Sequence, residues 1–299
     1  MCYHTPVLLK ESIDGLGIKP GGTYIDMTYG GGGHSGEILK RLTEGKLIAF
    51  DQDSDVLDNV ISDKRLILIN HNYRFFKNFL RHNGIGEVDG ILADLGVSSH
   101  QIDIPQRGFS YRFSGNLDMR MNTGSKFTAC DLLNDYPVRQ LIRVFSEYGE
   151  IRNSKRLADM IEEYRTAADI KTTEHLIEAI SACIPKNREN SYLSKVFQAL
   201  RIEVNSEMDA LKEMLLQTTD TIIKGGRLVI ITYHSLEDRL VKNFIKNGKP
   251  EGEVEKDIYG NAAVPFRAVN NKIITAGEAE VKQNVRARSA KLRIAEKII

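Results

Sequence analysis

Tyr24-Ile25-Asp26-Met27-Thr28-Tyr29-Gly30-Gly31-Gly32-Gly33-His34-Ser35 runs from a hydrophobic strand through four glycines toward a helix. Such a passage makes a cradle for a nucleotide-like ligand. Without Cβ atoms the glycines let backbone N–H groups approach closely, and a helix opening near His34 adds its unpaired amides. Asp26, just ahead of the glycines, narrows the ligand. A carboxylate there repels a pyrophosphate and favours the ammonium of an amino-acid-bearing cofactor such as S-adenosylmethionine. Gly31-x-Gly33-x-x-Gly36 also satisfies a dinucleotide fingerprint, so an NAD site is open too. Lys46-Leu47-Ile48-Ala49-Phe50-Asp51 is a second apolar strand, ending in an acid about 20 residues on, where ribose hydroxyls are usually held. Both cofactors carry that ribose, so Asp51 supports the site without choosing between them.

A chain of 299 residues with 41% hydrophobic content can bury one large core or two. No apolar run approaches the ~18 residues of a membrane span, and Met1 to Ser12 lacks the apolar stretch of a signal peptide. The expected compartment is the cytoplasm. Cys2, Cys130 and Cys183 are too scattered for a disulfide framework or a zinc site, and no metal motif is present. With 41 basic against 40 acidic side chains the net charge is +1, so contact with a polyanion must come from local patches. The best patch is Lys282, Arg286, Arg288, Lys291, Arg293 and Lys297, opposed only by Glu296. It reads equally as a phosphate contact or as a sheet edge protected by cations.

Apolar runs rich in β-branched residues at Thr23–Met27, Lys46–Phe50, Arg65–Asn70, Val88–Ala93 and Arg227–Tyr233 alternate at first with helical patterns. The alternation predicts an α/β fold, a mostly parallel doubly wound sheet with helices on both faces. Helices are expected over Ser54–Ser62, Arg74–Asn83 and Glu207–Lys224, the last stopped by Gly225-Gly226. Between Ala93 and Arg227 lies far more chain than a crossover needs, so a separate helical unit is expected there. Its helices start near Pro137, Ser154, Thr172 and Tyr192, with their apolar stripes forming the unit's own core. The expected division is a core of 1–104 and 206–299 and an inserted all-helical domain of 105–205. An apolar helix face left exposed would mark a homodimer contact.

Ligands in such sheets sit beyond the carboxyl ends of the strands, and Ala93-Asp94-Leu95-Gly96-Val97-Ser98-Ser99-His100-Gln101 follows strand four. The stretch is also good loop and helix-cap material. Asp26, Asp51 and Asp94 all at strand ends on one edge favour function. Arg107-Gly108-Phe109-Ser110-Tyr111-Arg112-Phe113 and Leu117-Asp118-Met119-Arg120-Met121 interleave arginines with aromatics in a segment read as too polar for a core. Such a segment suits a nucleobase and its phosphates, or forms a surface loop held by Arg–Asp pairs. After strand five, Tyr233-His234-Ser235-Leu236-Glu237-Asp238-Arg239 places His234 either to bond a substrate or to fasten the loop.

These strings together resemble the ribosomal RNA small subunit methyltransferase H family, of MraW type, over nearly the whole chain. The matches are His4-Thr5-Pro6-Val7-Leu8-Leu9, Gly32-Gly33-His34-Ser35, Asp94 through Gln101, Arg107-Gly108-Phe109-Ser110 and Leu117 through Met121. They resume at Tyr148-Gly149-Glu150, Phe197 through Ile202, His234 through Arg239 and Arg286 through Arg293. The resemblance implies a Rossmann-like class I fold that uses S-adenosylmethionine to methylate the exocyclic N4 of a cytidine in the decoding region of 16S rRNA, within the small ribosomal subunit. It implies that Gly32, Gly33, His34, Asp51, Tyr73, Asp94 and Gln101 contact the cofactor, Tyr73 standing where the family often has Phe. Two departures are Ser191-Tyr192-Leu193-Ser194-Lys195 in place of His-Pro-Ala-Thr-Arg, and Asn284-Val285-Arg286 in place of Asn-Pro-Arg.

The amine of cytosine has its lone pair delocalised into the ring, so an acceptor for its hydrogens is needed. Asp94, the expected catalytic residue, or the adjacent backbone carbonyls supply that acceptor, although Asp94-Leu95-Gly96-Val97 lacks the Asp/Asn-Pro-Pro-aromatic motif of common amino-methyltransferases. The base must be splayed out of its stack, with Phe109, Tyr111 or Phe113 to receive it, Arg107, Arg112 or Arg120 for phosphate, and His234 beside it. Two rivals are a noncatalytic RNA-binding assembly factor with a vestigial pocket and an NAD-dependent oxidoreductase.

Overall fold

A computed structural model describes residues 6–252, 264–270 and 272–299, so Cys2, His4 and Thr5 lie outside the described residues. The chain divides into two compact units, Met1–Gly96 with Met208–Ile299, and Val97–Glu207.

The first unit is built on eight strands: β1 (Thr23–Asp26), β2 (Lys46–Asp51), β3 (Leu66–Asn70), β4 (Val88–Asp94), β5 (Ile222–Thr232), β6 (Phe266–Ala268), β7 (Ile274–Thr275) and β8 (Lys291–Lys297). Their order is β3-β2-β1-β4-β5-β8-β6, with β7 also on β8. The first five pair in parallel, and β8 runs antiparallel to β5, β6 and β7. Order reverses at β1, which has β2 on one side and β4 on the other, so a crevice is expected beyond the ends of those strands. Helices α1 (Leu9–Leu16) and α2 (Gly33–Arg41) cover one face, where Ile13, Leu16, Ile38 and Leu39 pack with Tyr24, Leu47, Leu92 and Val229. Alternate strand residues Ile25, Ile48, Phe50, Ile91 and Ile230 are buried too, Phe50 meeting Phe79 of α3 (Phe76–His82) edge-on at 6.0 Å. Strands buried on both faces explain why the apolar runs are continuous rather than alternating.

Three expected elements change. Ser54–Ser62 makes only a 3-10 stretch, Ser54–Asn59, because the Tyr29 hydroxyl accepts the Ile61 N–H and donates to the Asn59 carbonyl, taking groups a longer helix would use. Arg74–Asn83 begins as a 3-10 turn, Tyr73–Phe75, before α3. Residues Ile222 to Lys224 belong to β5 and not to a helix, and Gly225-Gly226 lies inside that strand. There Gly225 has φ +80°, and a Cβ on Gly226 would stand 2.7 Å from the Asp89 carbonyl. The glycines thus accompany a register shift between Val88 and Gly90 rather than a helix stop.

The sheet-edge reading of the basic C-terminal run is corrected as well. β8 lies between β5 on one side and β6 and β7 on the other, so it is no sheet edge. Arg293 and Lys291 pair with Asp238 at 2.7 and 3.5 Å, and the Lys297 ammonium bonds the Thr219 carbonyl beneath Phe266. Lys282 and Arg288 are exposed.

The second unit is helical: α4 (Ser99–Asp103), α5 (Ala129–Asp135), α6 (Val138–Glu147), α7 (Ser154–Ala167), α8 (Thr173–Ala179) and α9 (Glu189–Asn205). Leu132, Leu141, Phe145, Leu157, Ile161, Leu176, Val196 and Leu200 form its own core. The chain then returns through α10 (Glu207–Thr218), and α11 (Ser235–Asn247) and α12 (Glu278–Gln283) complete the first unit. Phe145 is fully buried on α6, so Phe145→Ala is expected to cost about 3–5 kcal/mol. Urea unfolding checks the size, and hydrogen exchange should place the loss in α6, α7 and α9.

Candidate functional site

Asp51, Asp26 and Asp94 are the last residues of β2, β1 and β4, three adjacent strands. The glycine passage between β1 and α2 turns at Gly30 (φ +51°) and Gly32 (φ +75°), and Gly32 is the N-cap of α2. A glycine cap brings no side chain to the first helical amides, which leaves this helix start an anion-favouring end. A Cβ on Gly33 would fall 2.1 Å from Cγ of Pro6, which excludes larger residues at that position.

Asp26 faces inward. It is fully buried, with Oδ2 accepting the Ser35 hydroxyl at 2.7 Å and Oδ1 the Thr28 N–H at 3.1 Å. The expected role of Asp26 beside a ligand ammonium is therefore corrected: both oxygens bind the protein itself. Burial pushes its carboxyl up, and the Ser35 and Thr28 donors oppose that. The Thr28 hydroxyl in turn accepts the Asp94 N–H at 2.7 Å, joining the β1 loop to the end of β4.

Asp51 Oδ2 accepts the Gly30 N–H at 2.7 Å and Oδ1 the Asp53 N–H at 2.9 Å. The Asn70 amide donates to the Asp51 and Asp53 carbonyls, holding the end of β2 against β3. Tyr73, half-buried, opens the turn that follows β3. Asp94 Oδ1 accepts the Tyr233 hydroxyl at 2.7 Å, while Oδ2 lies 3.9 Å from His34 Nδ1. The His34 ring is buried with Nε2 3.2 Å from the Val7 carbonyl, and burial lowers its pKa. A neutral ring donating to Val7 through Nε2 keeps an acceptor lone pair on Nδ1, and the His34 backbone N–H lies in the first turn of α2.

Of its two expected roles, His234 takes that of fastening the loop. It is the N-cap of α11 in a capping box with buried Glu237, whose Oε2 also accepts the Tyr233 N–H at 2.8 Å. Gln101 closes a capping box with Ser98 at the start of α4, in the helical unit. In that unit Arg107 and Phe109 are buried too, against the expectation of a polar surface segment. The Arg107 guanidinium donates to the Arg120 and Met121 carbonyls at 2.9 and 3.3 Å and sits 5.8 Å from the Phe109 ring. Asn205 holds the same segment, donating to the Met119 carbonyl and accepting the Met121 N–H, so Leu117, Met119 and Met121 face the core. Arg120 pairs with Asp118 at 2.6 Å. Tyr111 packs edge-on to Phe197 at 5.7 Å with its hydroxyl near Ser194, while Arg112 and Phe113 are exposed. Thr28, Ser35 and Tyr233 were missed as site residues. Only the position of Tyr233, immediately after β5, signalled it.

The sequence profile of the MraW methylase family matches residues 1–298. The chain belongs to the MraW methylase family. A protein named ribosomal RNA small subunit methyltransferase H in Bacteroides fragilis (strain YCH46) is 55% identical over 296 residues, covering 99% of this chain and 97% of that protein. One of the same name in Flavobacterium johnsoniae is 56% identical over 299 residues, covering 100% and 99%.

Burial pushes the carboxyls of Asp51 and Asp94 up to about 6 from the ordinary 3.8. Both then hold protons in the folded state that the unfolded chain has released, so stability falls as pH rises from about 4 to about 6 and levels off above. Asp94→Asn keeps the shape and removes one of these charges. It is expected to stabilise the ligand-free protein by about 2 kcal/mol at pH 7.5 and to flatten that pH dependence. Urea midpoints at pH 4.5 and 7.5 check this.

Proposed function

We propose that this protein methylates the exocyclic N4 of a cytidine in the decoding region of 16S rRNA, with S-adenosylmethionine as donor and the small ribosomal subunit as substrate, in the cytoplasm. The observation that carries the reading is the glycine-capped start of α2 set between Asp51 and Asp94, in a chain matched end to end by methylases. Membership of that family leaves neither the nicotinamide reading nor a noncatalytic assembly factor with support of its own.

The residues present fit the donor. Asp51 retains lone pairs for a ribose diol, Tyr73 offers an aromatic wall for a purine, and the amides of Gly33 and His34 suit a carboxylate. Gln101 enters the cofactor set on the resemblance. When bound, S-adenosylmethionine supplies a methyl on sulfonium that an amine attacks in line. Asp94 does the work on the acceptor side: its carboxylate takes a hydrogen bond from the cytosine amine, helps the nitrogen pyramidalise, and receives its proton. A carboxyl displaced to about 6 is ionised at neutral pH yet more basic than an ordinary aspartate. The α2 start and the Asp51 carboxylate orient, which contributes by positioning alone.

The helical unit is assigned to RNA recognition. Its exposed Arg112 and Phe113, with Tyr111 beside them, take the phosphate and stacking roles. Arg107 and Phe109 set the shape of that loop from within.

Labelled S-adenosylmethionine incubated with undermodified small subunits should place label in N4-methylcytidine, read by nucleoside mass spectrometry. Asp94→Ala should abolish transfer, and a wild-type rate in that variant would overturn the mechanism. Gly33→Ala is expected to weaken S-adenosylmethionine binding by more than about tenfold in calorimetry, since its Cβ meets Pro6 and displaces the start of α2.

A further inference from the structure

We infer that Tyr233 is the positioning residue for Asp94: its hydroxyl fixes the carboxylate through Oδ1 and leaves Oδ2 as the oxygen that meets the amine. The inference rests on the reading of Asp94 as the acceptor in methyl transfer.

Geometry carries it. Tyr233 follows β5 directly, where Asp94 pairs with Ile231 across the parallel β4–β5 ladder, so the two residues leave neighbouring strands at one edge of the sheet. Its backbone N–H is held by Glu237 at 2.8 Å, and its ring packs beside the core of the first unit. The hydroxyl is thus delivered from a fixed backbone and a packed ring. At 2.7 Å from Oδ1 it is the one side chain donating to the Asp94 carboxylate among the described residues. His34, 3.9 Å from Oδ2, is beyond hydrogen-bonding distance and turns its Nε2 to Val7.

The charged and titratable groups around the pair are His34 on α2, Asp26 on β1, Glu237 on α11 and Glu280 on α12. Burial and the acids Asp94, Glu237 and Glu280 push the phenol well above its usual range, so Tyr233 stays protonated and acts as donor, never as base. Its bond favours the carboxylate over the acid, opposing the burial that raises Asp94.

Tyr233→Phe removes the hydroxyl and keeps the ring. The titration midpoint of Asp94, followed by carbon-13 NMR in the cofactor-free protein, should rise by about one pH unit. The acid limb of the kcat profile on small subunits should move with it. That displacement lowers kcat about fivefold at pH 6 and much less at pH 8.5. Placing 3-fluorotyrosine at 233, a stronger donor of nearly the same shape, should move both midpoints down, and serves if the Phe variant does not fold. An unmoved Asp94 titration overturns the assignment of Tyr233. A moved titration with an unmoved rate profile overturns instead the role of Asp94 in transfer, and the inference with it.

Discussion

The carboxylate of Asp26, sealed between β1 and α2, is the interaction on which the site depends. It takes the Ser35 hydroxyl from the helix and the Thr28 N–H from the loop, and the Thr28 hydroxyl takes the Asp94 N–H. One buried group thereby ties the glycine passage, the start of α2 and the end of β4 into a single piece. A buried carboxylate is tolerable only when its lone pairs are met, and here each oxygen has a donor. Four glycines in a row would otherwise be the least constrained part of the chain.

The two remaining acids share a cause and differ in surroundings. Burial raises both Asp51 and Asp94. Asp51 accepts backbone N–H groups, whose donors never titrate, so its environment is that of a binding group. Asp94 meets a phenol and stands near an imidazole, an environment suited to moving a proton. The strand order places them on opposite sides of β1, and the helix start lies between.

The helical unit shows how a polar-looking segment becomes structural. Arg107 and Phe109 are buried inside it, one guanidinium nitrogen of the arginine donating to two carbonyls of the same loop, and Asn205 on α9 also holds that loop. An arginine stem is largely apolar and its guanidinium planar, so it can fill a core when carbonyls meet its donors. What the loop then presents outward is Arg112 and Phe113.

From the chain alone one could read the alternation of strands and helices, the glycine start of α2, and the acids at three strand ends, because each is a local pattern of period or spacing. The insertion's helices were legible for the same reason. The direction in which Asp26 points, the burial of Arg107 and Phe109, the fastening role of His234 and the place of β8 inside the sheet were decided by tertiary structure. So was the bond from Tyr233 to Asp94, across 139 residues of sequence. Spacing along a chain fixes which edge or face a residue reaches. Whether its polar atoms meet ligand, water or protein depends on groups brought there by distant segments, and hydrogen-bond satisfaction on burial makes that choice.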